Sequence, residues 1–166
     1  MQRITVLCTG KLKEKFYLDA AAEYEKRLSR YCKLEIIELP EARLSDEPSP
    51  AEREQALAAE AAAMEEKLPK GGTLIALCIE GQEMSSEALS RKIVELGAAG
   101  QSRLTFLIGG SVGLSERLKN RAELKLSLSP MNNSLNCYEE IFRSTLQSLL
   151  RLIQYDKCNK GGDRLC

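Results

Sequence analysis

The sequence predicts one α/β domain with a mostly parallel sheet, and three observations predict it. Strand-like apolar runs alternate with segments of helical periodicity along the chain. Two of those runs, Thr73 to Ile79 and Leu104 to Ile108, are almost unbroken in apolar residues, as strands covered by helices on both faces are. The chain has 166 residues, enough for a single domain with a real core, and no internal boundary or repeat stands out.

Each element has its own signal. Ile4 to Cys8 is a first strand, ended by Thr9-Gly10. A charged turn, Lys11 to Lys15, leads into a helix from about Phe16 to Tyr31. Phe16, Ala20, Tyr24, Leu28 and Tyr31 recur there at spacings of three or four and form one apolar stripe, of the kind that faces a core or a dimer partner. Lys33 to Leu39 is a second strand, stopped by Pro40. Arg43 to Pro50 is a polar loop with two prolines. An alanine-rich helix from about Ala51 to Leu68 has a thin apolar edge of Leu57, Ala61, Met64 and Leu68, and its glutamates read as a solvated face. Pro69 to Gly72 breaks it. The Thr73 to Ile79 strand ends at Glu80-Gly81. Ser85 or Ser86 caps a helix with Leu89, Ile93 and Leu96 on one side, closed by Gly97 to Gly100. After Ile108 come Gly109, Gly110 and Gly113, then a helix to about Ala122 with Ser115 as N-cap and Glu116 in its first turn. Leu124 to Ser129 is a short alternating strand ending at Pro130. Tyr138 to Ile153 repeats Phe142, Leu146, Leu149 and Ile153 at helical spacing, and Lys157 to Cys166 reads as a loose tail.

Composition excludes several classes of function. Lysines and arginines number 24, as do aspartates and glutamates, so no diffuse basic field holds a nucleic acid. An RNA partner would need a local patch, or one assembled across a dimer. No histidine occurs, which removes His-based catalysis and argues against a catalytic zinc site; no metal is expected. The six cysteines form no CxxC and read as reduced, mostly buried thiols of a cytoplasmic protein. No apolar run approaches membrane-spanning length.

The stretch Leu104 to Leu118, LTFLIGGSVGLSERL, reads strand, glycine turn, helix. Ligands collect at the carboxyl ends of strands in such sheets, where bare backbone approaches them. A tight turn needing positive φ explains the same glycines. The spacing matches neither GxGxxG nor a P-loop.

From this stretch outward the chain resembles the ribosomal RNA large-subunit methyltransferase H family, of the SPOUT or α/β-knot class. The matching pieces run in order: GKLKEK at Gly10, EYEKRLSRYCKLEIIELP at Glu23, LIALCIEG at Leu74, SSEALSRKI at Ser85, LTFLIGGSVGLSE at Leu104 and KLSLSPM at Lys125. They span about the first four fifths of the chain. The resemblance implies a trefoil knot whose C-terminal segment threads under the loop after Ile108, in a domain over residues 1–156 with 157–166 as tail. It also implies a homodimer, S-adenosyl-L-methionine as cofactor, and methylation of N3 of a pseudouridine in 23S ribosomal RNA within the 70S ribosome. Carried over by position, the cofactor pocket would be Leu77, Gly109, Leu128, Ser129, Pro130 and Met131, with Asn132 and Asn133 at the last two family positions but unlike its usual residues.

The resemblance stops after Met131. The family continues with a Pro-His pair, a Tyr-Arg-Ala helix and a Tyr-His ending, whereas this chain reads NNSLNCYEEIFRSTLQSLLRLIQYDKCNKGGDRLC. Those residues line the substrate side of the family's site, so no catalytic residue is assigned and weak methyl transfer is expected. Two alternatives follow: a dimer that binds cofactor or ribosome without turnover, and the product of a frameshift just after Met131. Ile141 to Leu149 can be encoded so that a shift of one nucleotide spells Phe-Leu-Glu-Ala-Leu-Tyr-Arg-Ala, close to the missing helix.

Overall fold

The computed structural model describes residues 2–127 and Thr145. Strands and helices alternate: β1 (Gln2–Thr9), α1 (Lys15–Leu28), β2 (Cys32–Leu39), α2 (Pro50–Lys67), β3 (Thr73–Glu83), α3 (Ser86–Ala98), β4 (Arg103–Ile108), α4 (Glu116–Arg121) and β5 (Leu124–Ser127). The strands form one sheet in the order β2-β1-β4-β3-β5, and every pair is parallel. All five carboxyl ends therefore share one edge of the sheet. The expected α/β architecture is the one observed.

Side-chain alternation along each strand sorts the core into two layers. Ile4, Val6 and Cys8 of β1, Leu104, Phe106 and Ile108 of β4, and Ile75 and Leu77 of β3 pack with Ala21 and Leu28 of α1 and Leu89 and Ile93 of α3. Leu7, Leu107 and Ala76 point the other way, onto Ala61 and Met64 of α2 and Leu118 of α4. Both faces are covered, so the central strands are apolar on both sides. Ser49 caps α2 with a full capping box shared with Glu52, and Pro50 at the first helical position suits that start. Ser85 caps α3 by accepting the Ala88 amide.

Four details depart from the expectations. α1 ends at Leu28, and Tyr31 lies in a turn, because β2 is already paired with β1 from Cys32 onward. Phe16 lies outside the core, 62% exposed, since the buried line of α1 runs through Ala21 and Leu28. Glu60 lies off the solvated face of α2: it is buried, at 6% exposure, because the loop after β2 folds over it. β3 continues past Gly81 to Glu83, with Ile79 exposed where it leaves the regular ladder. Cys8 and Cys32 are buried thiols and Cys78 is half-buried; burial pushes the Cys32 thiol up to about 11. No helix among the described residues is long and apolar enough to cross a membrane. Thr145 is helical and buried, within the expected Tyr138 to Ile153 segment. The rest of that segment, the expected tail and the expected knot threading lie outside the described residues.

Candidate functional site

The parallel register brings the sequence-assigned positions to one level of the sheet. Leu77 of β3 stands opposite Ile108 of β4 on one side and Leu126 of β5 on the other. Gly109 directly follows Ile108, and the chain leaves β5 at Ser127 on the same edge. Leu77 is buried, in the layer shared with Ile108 and Leu126. Leu128, Ser129, Pro130, Met131, Asn132 and Asn133 lie outside the described residues.

The glycine turn is built by its own backbone. The Gly113 amide donates to the Gly110 carbonyl at 3.0 Å, closing a four-residue turn. Gly113 has φ +79°, so the positive-φ requirement falls there. Gly109 has no such requirement. A Cβ at Gly109 would lie 2.3 Å from the Gly113 carbonyl carbon and 2.7 Å from the Leu114 amide nitrogen. Its bare backbone thus makes room for the returning chain, a use that the sequence pattern does not separate from ligand approach. Leu114 and Leu118 then bury into the α2 side, and Ser115 caps α4 by accepting the Leu118 amide at 3.3 Å.

Neighbouring loops grip this turn. The Ser111 amide donates to Glu41 Oε1 at 2.7 Å, across 70 residues of sequence. Glu60 Oε1 in turn accepts the Ala42 amide at 2.9 Å. Burial raises the Glu60 pKa above the usual carboxylate range; the Ala42 amide opposes this and the Glu41 charge adds to it. Glu60 Oε2 and the Thr9 hydroxyl oxygen are buried with no hydrogen-bond partner among the described residues. α4 is tied down by Lys119, which bridges Glu80 and Glu116, and by Arg117 and Arg121 on Glu65. The Lys119 hydrogen bond holds the Glu80 carboxyl below the usual range.

On the other flank, β3 bulges. Both Leu77 and Gln82 face Leu126, so Cys78 to Gly81 form an excursion between them. A Cβ at Gly81 would lie 2.5 Å from the Leu126 carbonyl carbon, so this glycine lets β5 approach. Sequence reasoning missed Glu41, Glu60, Lys119 and this use of Gly81. Glu41 next to the strand-ending Pro40 offered no pattern, because its partner is set only by the fold.

Among the described residues no cluster of three or more His, Cys, Asp or Glu could hold a metal. An open groove of about 580 Å³ lies elsewhere, between α1 and the β2 edge, lined by Leu18, Ala21, Ala22, Glu25 and Ile36 among others.

Comparison with known proteins gives the family and the fold. A family model described as "Predicted SPOUT methyltransferase" matches residues 2–144. A ribosomal RNA large subunit methyltransferase H of Acetivibrio thermocellus is 42% identical over 147 residues, covering 86% of this chain and 92% of that protein. A protein of the same name from Streptococcus equi subsp. zooepidemicus is 45% identical over 125 residues, 75% of this chain and 79% of its own. A solved probable methyltransferase from Bordetella pertussis Tohama I superposes with a TM-score of 0.55 at 16% identity, over 92% of this chain and 96% of its own, a likeness of fold.

Proposed function

The chain belongs to the SPOUT methyltransferase family, and on that premise we propose that it is an S-adenosyl-L-methionine-dependent ribosomal RNA methyltransferase. Its target is N3 of a pseudouridine in 23S ribosomal RNA of the 70S ribosome, and it works as a cytoplasmic homodimer. One observation carries the proposal: Leu77, Gly109 and the exit of β5 toward Leu128 share one level of the carboxyl edge. The described residues fit such a donor. Leu77 gives an apolar wall, Gly113 faces open space while Gly109 abuts the returning chain and Gly110 abuts Glu41, and no metal is needed.

S-adenosyl-L-methionine, when bound, supplies a methyl group on a sulfonium with a good thioether leaving group. The chain's part is to hold it in line with N3, keep water out and favour loss of the N3 proton. Backbone donors can favour the resulting anion. The Ser111 and Gly113 amides are already engaged, by Glu41 and Gly110, so this task falls to other donors.

A second reading, a dimer that binds donor or ribosome without turnover, is favoured by the absence of any histidine in the chain. The test is methyl transfer from labelled S-adenosyl-L-methionine to 70S ribosomes whose pseudouridine is unmethylated. Label at N3 supports the enzyme. Donor binding by calorimetry, or co-sedimentation with 70S ribosomes, without transfer supports the second reading, and the absence of donor binding, ribosome binding and transfer overturns both.

A further inference from the structure

We propose that Glu41 is a positioning residue: its carboxylate reaches across the carboxyl end of β1 and holds the glycine turn in place from behind. The role rests on the turn being a wall of the methyl-donor pocket. Glu41 follows β2 and Ser111 follows β4, and β1 lies between those two strands. Neighbouring strands are spaced roughly 4.8 Å apart, so the link spans two spacings, and the loops after β2 and β4 lean toward each other over the end of β1 for the carboxylate to close it. The bond is short, 2.7 Å, with a carboxylate accepting from a backbone amide.

Three surroundings make this a built contact. Gly110 leaves the carboxylate its path: a Cβ there would lie 3.0 Å from Glu41 Oε1, 3.3 Å from Glu41 Cγ and 3.1 Å from Thr9 Cγ2. Glu60, buried on α2, holds the amide of Ala42, the residue next to Glu41, so the loop is anchored to a helix. Leu77 lies in the core layer of α1 and α3, whereas Glu60 belongs to α2, which covers the opposite face. Glu41 therefore acts on the turn from the side away from Leu77 and need not touch a ligand.

Glu41 and Ser111 are both outside the core. The sheet's main-chain ladders do not depend on their bond. Removing the carboxylate should free the turn without unfolding the domain.

The test uses the full chain as wild type, Glu41→Ala, Glu41→Gln and Gly110→Ala. Amide hydrogen exchange over residues 109–114 should quicken roughly tenfold in Glu41→Ala, the size of a lost charge-assisted bond. It should be largely restored by Glu41→Gln, whose carbonyl still accepts, and change less in Gly110→Ala. The melting temperature should stay close to that of wild type. S-adenosyl-L-methionine affinity by calorimetry should fall by about the same factor in Glu41→Ala and recover in Glu41→Gln. Unchanged exchange in Glu41→Ala overturns the clamp. Faster exchange with unchanged affinity, or a large drop in melting temperature, overturns the positioning role. If wild type binds no donor, the donor reading and the positioning role fall together, while exchange still decides the clamp.

Discussion

Gly109 and Gly113 look alike in the sequence and carry different burdens. Gly113 needs its φ of +79° but has open space around it, with no atom within 4 Å of where a Cβ would sit. Gly113→Ala should therefore cost only the left-handed penalty, about 1 kcal/mol. Gly109→Ala drives a Cβ to 2.3 Å from the Gly113 carbonyl carbon, so backbone must move. A cost of about 3 kcal/mol is expected there, the upper range for overpacking. Urea midpoints of the two variants check the order; a larger loss at Gly113 would refute it. Gly109→Val should accordingly disrupt the whole turn as well as any pocket. Glu60 gives a pH signature. Its folded pKa lies above the unfolded value of 4.5, so the folded state holds the proton more tightly. Stability from this group is full below that value and is lost as pH rises through the folded pKa. Glu60→Gln keeps an acceptor for the Ala42 amide and removes the buried charge. Its stability relative to wild type should rise as pH climbs above 4.5, read from melting temperatures across pH. A gap independent of pH would show that the charge is not the cause.

At the scale of elements, β3 and β5 meet through a bulge that a single glycine permits. Gly81 lies against the Leu126 and Ser127 backbone, and β5 leads from there toward Leu128. Gly81→Ala should shift β5 against β3 and destabilise the domain by about 2 kcal/mol. Denaturant unfolding measures the loss, and amide exchange of Leu126 and Ser127 should rise with it. No loss of stability would mean that β5 yields freely. The sequence placed β3's apolar half well, Thr73 to Leu77, because burial on both faces demands it. It ended the strand at Glu80-Gly81, because glycine there looked like a stop and not like a bulge. The aromatic stripe of α1 was likewise half legible: its spacing marked a helix, while the choice of Ala21 over Phe16 as the buried position depended on how the helix settles on the sheet.

At the scale of the molecule, equal numbers of acidic and basic residues leave no net field to draw in RNA. A homodimer would let two copies present one composite surface. Light scattering should give twice the mass of one 18.4 kDa chain at micromolar concentration. A monomer would remove the dimer from the proposal. Among the described residues, Phe16 and Leu18 are exposed apolar side chains on α1.

The sequence by itself determined the alternation of strands and helices, the two-sided burial of the central strands, the helix cap at Ser115, a cap at Ser85 or Ser86 that the structure places at Ser85, and the family. These are local or periodic properties, written in neighbours and in repeats of two and of three or four residues. Only the tertiary structure decided the strand order, and with it the grip of Glu41 on Ser111, the burial of Glu60 and the distinct burdens of Gly81, Gly109 and Gly113. Each of those depends on which backbone lies beside which across distances of up to 70 residues. A lone glutamate or glycine carries no period to announce such a partner, and the contact exists only once parallel strands have brought their carboxyl ends together.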